Sequence, residues 1–243
     1  MTGPSERNVL CIKWGRKYGA ADVNRLHAMV RRSLAPPFRF VCLTDDAAGI
    51  DAGVECLPIP FVHAERPGRD GGWRKLSTFE ATLHDLCGTA LFLDLDLVVV
   101  RPLDPLFEAE GEVLIARDAR LAAAGIGNSS VYRFRIGAHP GFVDGFRADP
   151  DGIIAGYRNE QAYLSERLRE AGLYREWPPG WCVSFKHDCM PPWPTNYWRA
   201  AACPPEARII FFHGHPKPEE ALAGFPSLGR WTRPTPWLAP LLG

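Results

Sequence analysis

Short apolar runs and helix-period segments take turns along the first hundred residues, and that alternation leaves few architectures open to the chain. Val9 to Lys13 is an apolar run closed by Trp14-Gly15, a strand signal. Asp22 to Leu34 places Val23, Leu26, Val30 and Leu34 at helical spacing, with Asp22 near the start as a cap. Pro36-Pro37 stops that helix. Phe38 to Leu43 reads as a second strand leading into Thr44-Asp45-Asp46, and Val54 to Leu57 as a third, halted by Pro58 and Pro60. Gly71-Gly72 introduce a predicted helix over Trp73 to His84, with Leu76, Phe79 and Leu83 on one face. Thr89 to Leu93 has no polar break, as expected of a central strand covered on both faces. The order predicts an α/β protein with a Rossmann-like, doubly wound, mostly parallel sheet flanked by helices. Such sheets bind ligands beyond the carboxyl ends of their strands, where Trp14-Gly15, Thr44-Asp45 and Asp94-Leu95-Asp96 all fall. One polar edge is therefore the expected site.

The second half is less regular. Val113 to Ala116, Ser130 to Phe134 and Arg208 to Phe212 read as strands and Glu160 to Ala171 as a helix, followed from Trp177 by an irregular Pro/Trp-rich portion. No repeat or low-complexity linker divides the chain, so residues 1–243 are expected to form a single domain, with a nucleotide-binding half over 1–118 and an acceptor- and metal-completing half over 119–243. Equal numbers of basic and acidic residues, 28 each, give no general attraction for a phosphate backbone, so nucleic acid is not an expected partner. The longest apolar stretch, Thr89 to Val100, is broken by Asp94 and Asp96, so no transmembrane segment is expected, although peripheral membrane contact stays open. The polar start, Met1 to Asn8, has no apolar signal core, and the expected location is cytoplasmic. Seven cysteines without a C-x-x-C pair read as reduced thiols and not as a zinc ribbon or redox centre.

Asp94 and Asp96 carry the chemistry. In extended backbone, residues two apart project to the same side, so both carboxylates point together while Leu95 and Leu97 face the core. Two like charges at the end of a buried strand repel and are costly to desolvate, and a divalent cation relieves both problems. Oxygen ligands favour Mg²⁺, Ca²⁺ or Mn²⁺ over zinc. The competing reading is a polar strand exit with both carboxylates in water or on helix N-termini.

With these pieces the chain resembles the nucleotide-sugar glycosyltransferases of the GT-A fold, whose Asp-x-Asp follows a central strand. Phe211-Phe212-His213-Gly214-His215-Pro216-Lys217-Pro218 is similar to the ending of glycosyltransferase family 8, although that family spaces its His and Lys two residues further apart. The resemblance implies a metal site of Asp94, Asp96 and His213, with His213 preferred to His215 as the residue nearer the strand end, and Lys217 on the donor diphosphate. It implies a metal-dependent glycosyltransferase of hexosyl type that retains configuration. The donor would be a nucleotide-sugar, by default a UDP-sugar, and the acceptor a glycan or glycolipid. An imidazole among carboxylates tilts the expected ion from Mg²⁺ towards Mn²⁺. Lys13, Tyr18, Thr44 and Asp45 would bound the base and ribose, Lys75 would reach diphosphate or donor sugar, and Asn128 and Ser129, just before the Ser130 strand, would bond the sugar. Glu160 and Gln161 stand where that family carries an Asp-Gln pair, with Glu160 a departure that keeps the carboxylate on a longer arm. Trp181, Trp193 and Trp198 would offer flat faces for an acceptor sugar or serve core and lid packing, and Trp177 to Lys186 would form a loop over the donor.

Two other functions share these residues. A haloacid-dehalogenase-type phosphatase also places two Asp two apart after an apolar strand, although on its first strand, whereas three strand signals precede Asp94. A non-catalytic nucleotide-sugar or glycan-binding module could keep the fold without transfer.

Overall fold

The computed structural model describes residues 6–63, 72–227 and 231–242, so Gly71 and the first five residues lie outside the described part. The predicted order of the first half is present. Strand β1 (Arg7–Lys13) is followed by helix α1 (Ala20–Ser33), β2 (Arg39–Thr44) and β3 (Glu55–Pro58). The Asp22 carboxylate reaches back to accept the Gly19 N–H at 2.9 Å, so the residue expected to cap α1 does so from inside its first turn.

Next come β4 (Thr89–Leu93), β5 (Leu97–Val99), the short α2 (Asp104–Glu108), β6 (Leu114–Arg117) and β7 (Gly127–Arg135). The six-stranded sheet runs β3-β2-β1-β4-β7-β6. β1 pairs in parallel with both β2 and β4, and β2 with β3, whereas β7 runs antiparallel to β4 and β6. Along β1, Val9 and Cys11 pack on the face that carries α1, and Leu10 and Ile12 on the other. That second face holds a cluster of aromatic rings in which Phe92 stacks on Tyr132 at 4.6 Å and Trp73 on Phe146 at 5.0 Å. Each large apolar side chain so buried is worth roughly 1.5–3 kcal/mol.

Helices α3 (Gly141–Ala148), α4 (Pro150–Gly156) and α5 (Glu160–Glu170) cover this face. The irregular tail holds a second sheet of three strands in the order β5-β9-β8, built from β8 (Cys182–Ser184) and β9 (Ile209–Phe211), and then helix α6 (Pro218–Ala223). No helix of the described residues is long and apolar enough to cross a membrane.

Three expectations need correction. The helix over Trp73 to His84 is only a 3₁₀ segment, Trp73–Phe79. The Thr78 hydroxyl takes the Lys75 carbonyl at 2.8 Å, Glu80 turns extended to pair with Arg147, and His84 adopts a positive φ of 53°. Asn128 and Ser129 do not precede the Ser130 strand but belong to β7, at an irregularity where the Asn128 side chain accepts the Ser130 N–H at 2.8 Å. The stretch Trp177 to Lys186 contains β8, and its Trp177 is buried with its indole N–H on the Val131 carbonyl at 3.1 Å, so that ring serves the core.

Candidate active site

Two of the three strand exits expected to converge, those of β1 and β4, meet around a cavity of about 530 Å³, walled by Trp14 after β1, Asp94 and Asp96 after β4, Glu160 at the start of α5 and His213 after β9, whereas Thr44 and Asp45 at the end of β2 do not line it. The backbone of the acidic segment is pinned from both sides. The Asp94 N–H donates to the Ser130 carbonyl at 2.9 Å, and the Asp96 carbonyl accepts the Phe212 N–H at 2.8 Å. Between them Leu95 is buried in the core, as the alternation required, and anchors the bend from β4 into β5.

Each carboxylate meets an ammonium. Lys75 Nζ lies 2.8 Å from both oxygens of Asp94, 3.7 Å from Glu160 Oε1 and 3.4 Å from the Ser129 carbonyl. Burial alone would depress the Lys75 ammonium, but Asp94 and Glu160 outweigh it and hold the group above its ordinary range, so it stays charged. Asp96 Oδ2 accepts the Tyr18 hydroxyl at 2.6 Å and Lys217 Nζ at 2.7 Å. Burial, and then the neighbouring Asp96, push the Tyr18 phenol far above its ordinary range, which keeps it a donor. Glu160 is buried, accepts the Ser129 hydroxyl and faces Gly72. Gly72 has φ 90°, and a Cβ there would stand 2.8 Å from the Glu160 carboxylate, so the close approach needs glycine twice over.

The remaining expected residues divide between this cavity and its surroundings. Tyr18, Lys75 and His213 are on the wall, with Ser129 and Lys217 touching the carboxylates behind it. Lys13, Thr44 and Asp45 do not line the cavity, and their polar groups are engaged by the loops after β1 and β2. Lys13 Nζ donates to the Asp46 carbonyl at 2.8 Å, the Thr44 hydroxyl to the same carbonyl at 2.9 Å, and Asp45 accepts the Gly15 N–H at 2.8 Å. Gln161 and Asn128 turn into a second, polar cleft with Asp118 and Arg158, which meets the first at His213. Of the two histidines, His213 faces the cavity, whereas His215 is exposed and bonded to Glu220 at 2.8 Å. Trp193 and Trp198 are exposed; Trp181 packs under Arg208, its ring 4.7 Å from the guanidinium, and none of the three lines the cavity. Sequence reasoning missed Lys17, on the wall, and Asp118, in the adjoining cleft. The signal for Asp118 was available, since it directly follows the β6 run.

Asp94 and Asp96 are the oxygen donors that a divalent cation would use here. His213 adds a ring whose Nδ1 is buried with no hydrogen-bond partner. Burial, followed by Lys186 and His187, lowers its protonation range, so the imidazole is neutral near neutral pH. Among the described residues no three His, Cys, Asp or Glu side chains are gathered as a cage for a metal ion. Ions of the Mg²⁺ type are commonly held by one or two carboxylates completed by substrate phosphates, so the acidic pair fits such an ion as part of a complex with a phosphorylated ligand.

No protein-family model matches the sequence, and no curated protein does. Solved structures match in fold. The galactosyltransferase LgtC, in complex with donor and acceptor sugar analogues, superposes with a TM-score of 0.57 at 13% identity, covering 87% of this chain and 88% of LgtC. The glycosyltransferase GlyE of Streptococcus pneumoniae TIGR4, in its apo form, gives 0.58 at 14% identity over 88% of this chain, which spans only 56% of GlyE. An active-site mutant of LgtC gives 0.56 at 14% identity, over 87% of this chain and 89% of the mutant. The chain has the mixed α/β architecture of these GT-A-type glycosyltransferases, a mostly parallel central sheet flanked by helices.

Proposed function

We propose that this chain transfers a glycosyl group from a nucleoside diphosphate-sugar, by default a UDP-sugar, to a hydroxyl group of a glycan or glycolipid. The observation that carries the reading is the pairing of Asp94 with Lys75 and of Asp96 with Lys217 at the strand exits of a glycosyltransferase fold. Transfer breaks the bond between the anomeric carbon and the diphosphate oxygen, forms one to the acceptor oxygen, and moves the acceptor proton to the departing diphosphate when configuration is retained. Negative charge grows on the diphosphate as it leaves. Lys75 and Lys217 stand on the two carboxylates, and ammonium groups held in place beforehand would stabilise such charge without having to reorganise. A Mg²⁺ or Mn²⁺ ion held by Asp94 and Asp96 would supply Lewis-acid stabilisation of the same oxygens.

Glu160, on the cavity wall, would face the sugar. It is a buried carboxylate, steadied by the Ser129 hydroxyl and set beside Lys75, and it would balance the positive character that develops at the anomeric carbon. Gln161, with Asp118 in the adjoining cleft, would bind acceptor hydroxyls.

The test is UDP release from a panel of UDP-sugars with and without Mn²⁺, comparing wild type with Asp96→Asn. We expect metal-stimulated release from at least one donor, and a loss of about 10²–10³-fold in turnover for Asp96→Asn, the size seen when one charge-stabilising group is removed. No binding and no release with any nucleotide-sugar would refute the assignment, as would hydrolysis of p-nitrophenyl phosphate that depends on Asp94.

A further inference from the structure

We propose that a cleft in the Pro/Trp-rich tail, behind His213, holds a non-reacting sugar unit of the acceptor on the face of Trp193, so that the acceptor is an oligosaccharide. The inference rests on the reading of the chain as a glycosyltransferase and adds where the far part of its acceptor lies. The cleft measures about 350 Å³, at the lower end of small-molecule sites, and is walled by Lys186, His187, Met190, Pro192, Trp193 and Asn196.

Its lining is two-sided in chemistry. Trp193 is 71% exposed, whereas Trp73 and Trp177 are buried, so this indole offers an open face that the core does not use. Asn196 is 2% exposed, and its amide nitrogen donates to the Trp231 carbonyl at 3.0 Å. Its Oδ1 has no hydrogen-bond partner, which is costly for a buried oxygen unless a donor reaches it. A pyranose ring has an apolar C–H face and a rim of hydroxyls. The first complements the indole by dispersion contact, and the second supplies the donor that Asn196 lacks. An acyl chain would satisfy Trp193 but leave the amide oxygen unpaired. Among the described residues no carboxylate lines the cleft, so it holds no counter-charge for a cationic ligand.

The cleft shares a partition with the candidate active site. The His187 ring stacks on the His213 ring with centroids 5.6 Å apart, and His213 stands on the wall of the larger cavity. Lys186 Nζ donates to the His213 carbonyl and lies 3.5 Å from where a Cβ of Gly214 would stand, and Gly214 also lines the larger cavity. Two residues therefore wall the cleft on one side and touch the active-site wall on the other. A glycan whose terminal sugar reacts in the larger cavity can pass over this partition and seat a further unit on Trp193. Binding energy from such a remote unit can be used at the reacting centre, so lengthening the acceptor should raise turnover as well as affinity.

The experiment uses the whole chain labelled with 5-fluorotryptophan. Its eight Trp give separate fluorine resonances, and that of Trp193 is identified by its absence from Trp193→Phe. The probes are gluco-, galacto- and manno-oligosaccharides of one to four units, with phosphatidylcholine vesicles as the contrasting ligand. Affinities for the sugars and, separately, for UDP are measured by calorimetry. We expect at least one oligosaccharide to shift the Trp193 resonance and to bind about tenfold or more tightly than its monosaccharide. Trp193→Ala should weaken that oligosaccharide about tenfold, as truncating an anchoring aromatic does, and leave UDP binding as in the wild type. Trp193→Phe keeps a ring and should recover most of the affinity, which a merely structural role for the exposed side chain would not require.

A Trp193 resonance that no oligosaccharide moves, or that vesicles alone move, overturns the subsite and leaves the donor reading in place as long as UDP binds. Equal affinity of wild type and Trp193→Ala for every oligosaccharide overturns it too. Absence of UDP binding with the Trp193 shift intact overturns the donor reading alone, and absence of both overturns both.

Discussion

Replacing Lys75 by Met removes the cation that both oxygens of Asp94 share at 2.8 Å and that Glu160 meets at 3.7 Å. All three side chains are largely shielded, with exposures of 13% for Lys75, 21% for Asp94 and 7% for Glu160, so solvent does little to screen what is left behind. Breaking a buried pair by removing one partner costs roughly 3–5 kcal/mol, because a carboxylate then stays buried without compensation. Met keeps much of the methylene packing of the Lys stem, so the loss is that of the charge. For a chain of this length 1 kcal/mol corresponds to about 2–4 °C in Tm, so a shift of at least about 6 °C is expected. The assay is urea unfolding at neutral pH, reading the midpoint at unchanged slope, for wild type, Lys75→Met, Asp94→Asn and the double variant. Asp94→Asn in the Lys75→Met background should restore part of the stability, because it removes one uncompensated charge. Lys75→Met within about 1 kcal/mol of wild type would show that water or a rearranged side chain already compensates Asp94, and would refute the argument.

Two further outcomes follow from the same cavity. Gly72→Ala places a Cβ 2.8 Å from the Glu160 carboxylate at φ 90°, so it should destabilise by roughly 1–3 kcal/mol by denaturant unfolding and slow any transfer, and full activity would show that Glu160 can move away freely. Burial, followed by Lys186 and His187, lowers the protonation range of His213, and burial, followed by Arg31, that of His27. The unfolded chain therefore binds more protons than the folded one just below the ordinary imidazole value of 6.5. Stability should be complete above that value and fall as pH drops through the lowered ones, with a smaller drop in His213→Gln. A midpoint that does not change between about pH 7.5 and about pH 5.5 would refute it.

What the chain announces in sequence is what local pattern controls. Alternating apolar runs gave the parallel core, and Asp94 and Asp96 came with them because a run that ends in two acids marks its own exit. His213 was preferred to His215 for its place beside a strand end, and that place sets it on the cavity wall. The helix over Trp73 to His84 was misread because its apolar spacing is helical, while Thr78 and Glu80 spend their polar groups on the Lys75 carbonyl and on Arg147. β8 escaped notice because three residues among prolines and tryptophans carry no periodicity, and only pairing with β9 makes them a strand. The lysine–aspartate pairs were invisible for another reason. Lys75 is 19 residues from Asp94 and Lys217 is 121 from Asp96, and no local pattern specifies a partner at such separations.

The fold joins those distant residues through strand register. β5 continues directly from the acidic segment and pairs antiparallel with β9, with Leu97 opposite Phe211. One step beyond that pair, the Phe212 N–H bonds the Asp96 carbonyl at 2.8 Å, and His213 follows at once. Lys217 comes four residues later, its Nζ on Asp96 and its backbone N–H on Glu220 at 2.7 Å, at the entry to α6. Since side chains alternate along a strand, a slip of one residue in the β5–β9 pairing would carry Phe211 and its neighbours to the opposite face. Leu97, Val98 and Val99 and their partners Ile209, Ile210 and Phe211 are all buried in one core, so such a slip would have to repack close-fitted side chains on both faces of the pair. Apolar packing of the second sheet therefore sets how far His213 and Lys217 stand from the acidic pair, and the tail that looked irregular is what completes the site.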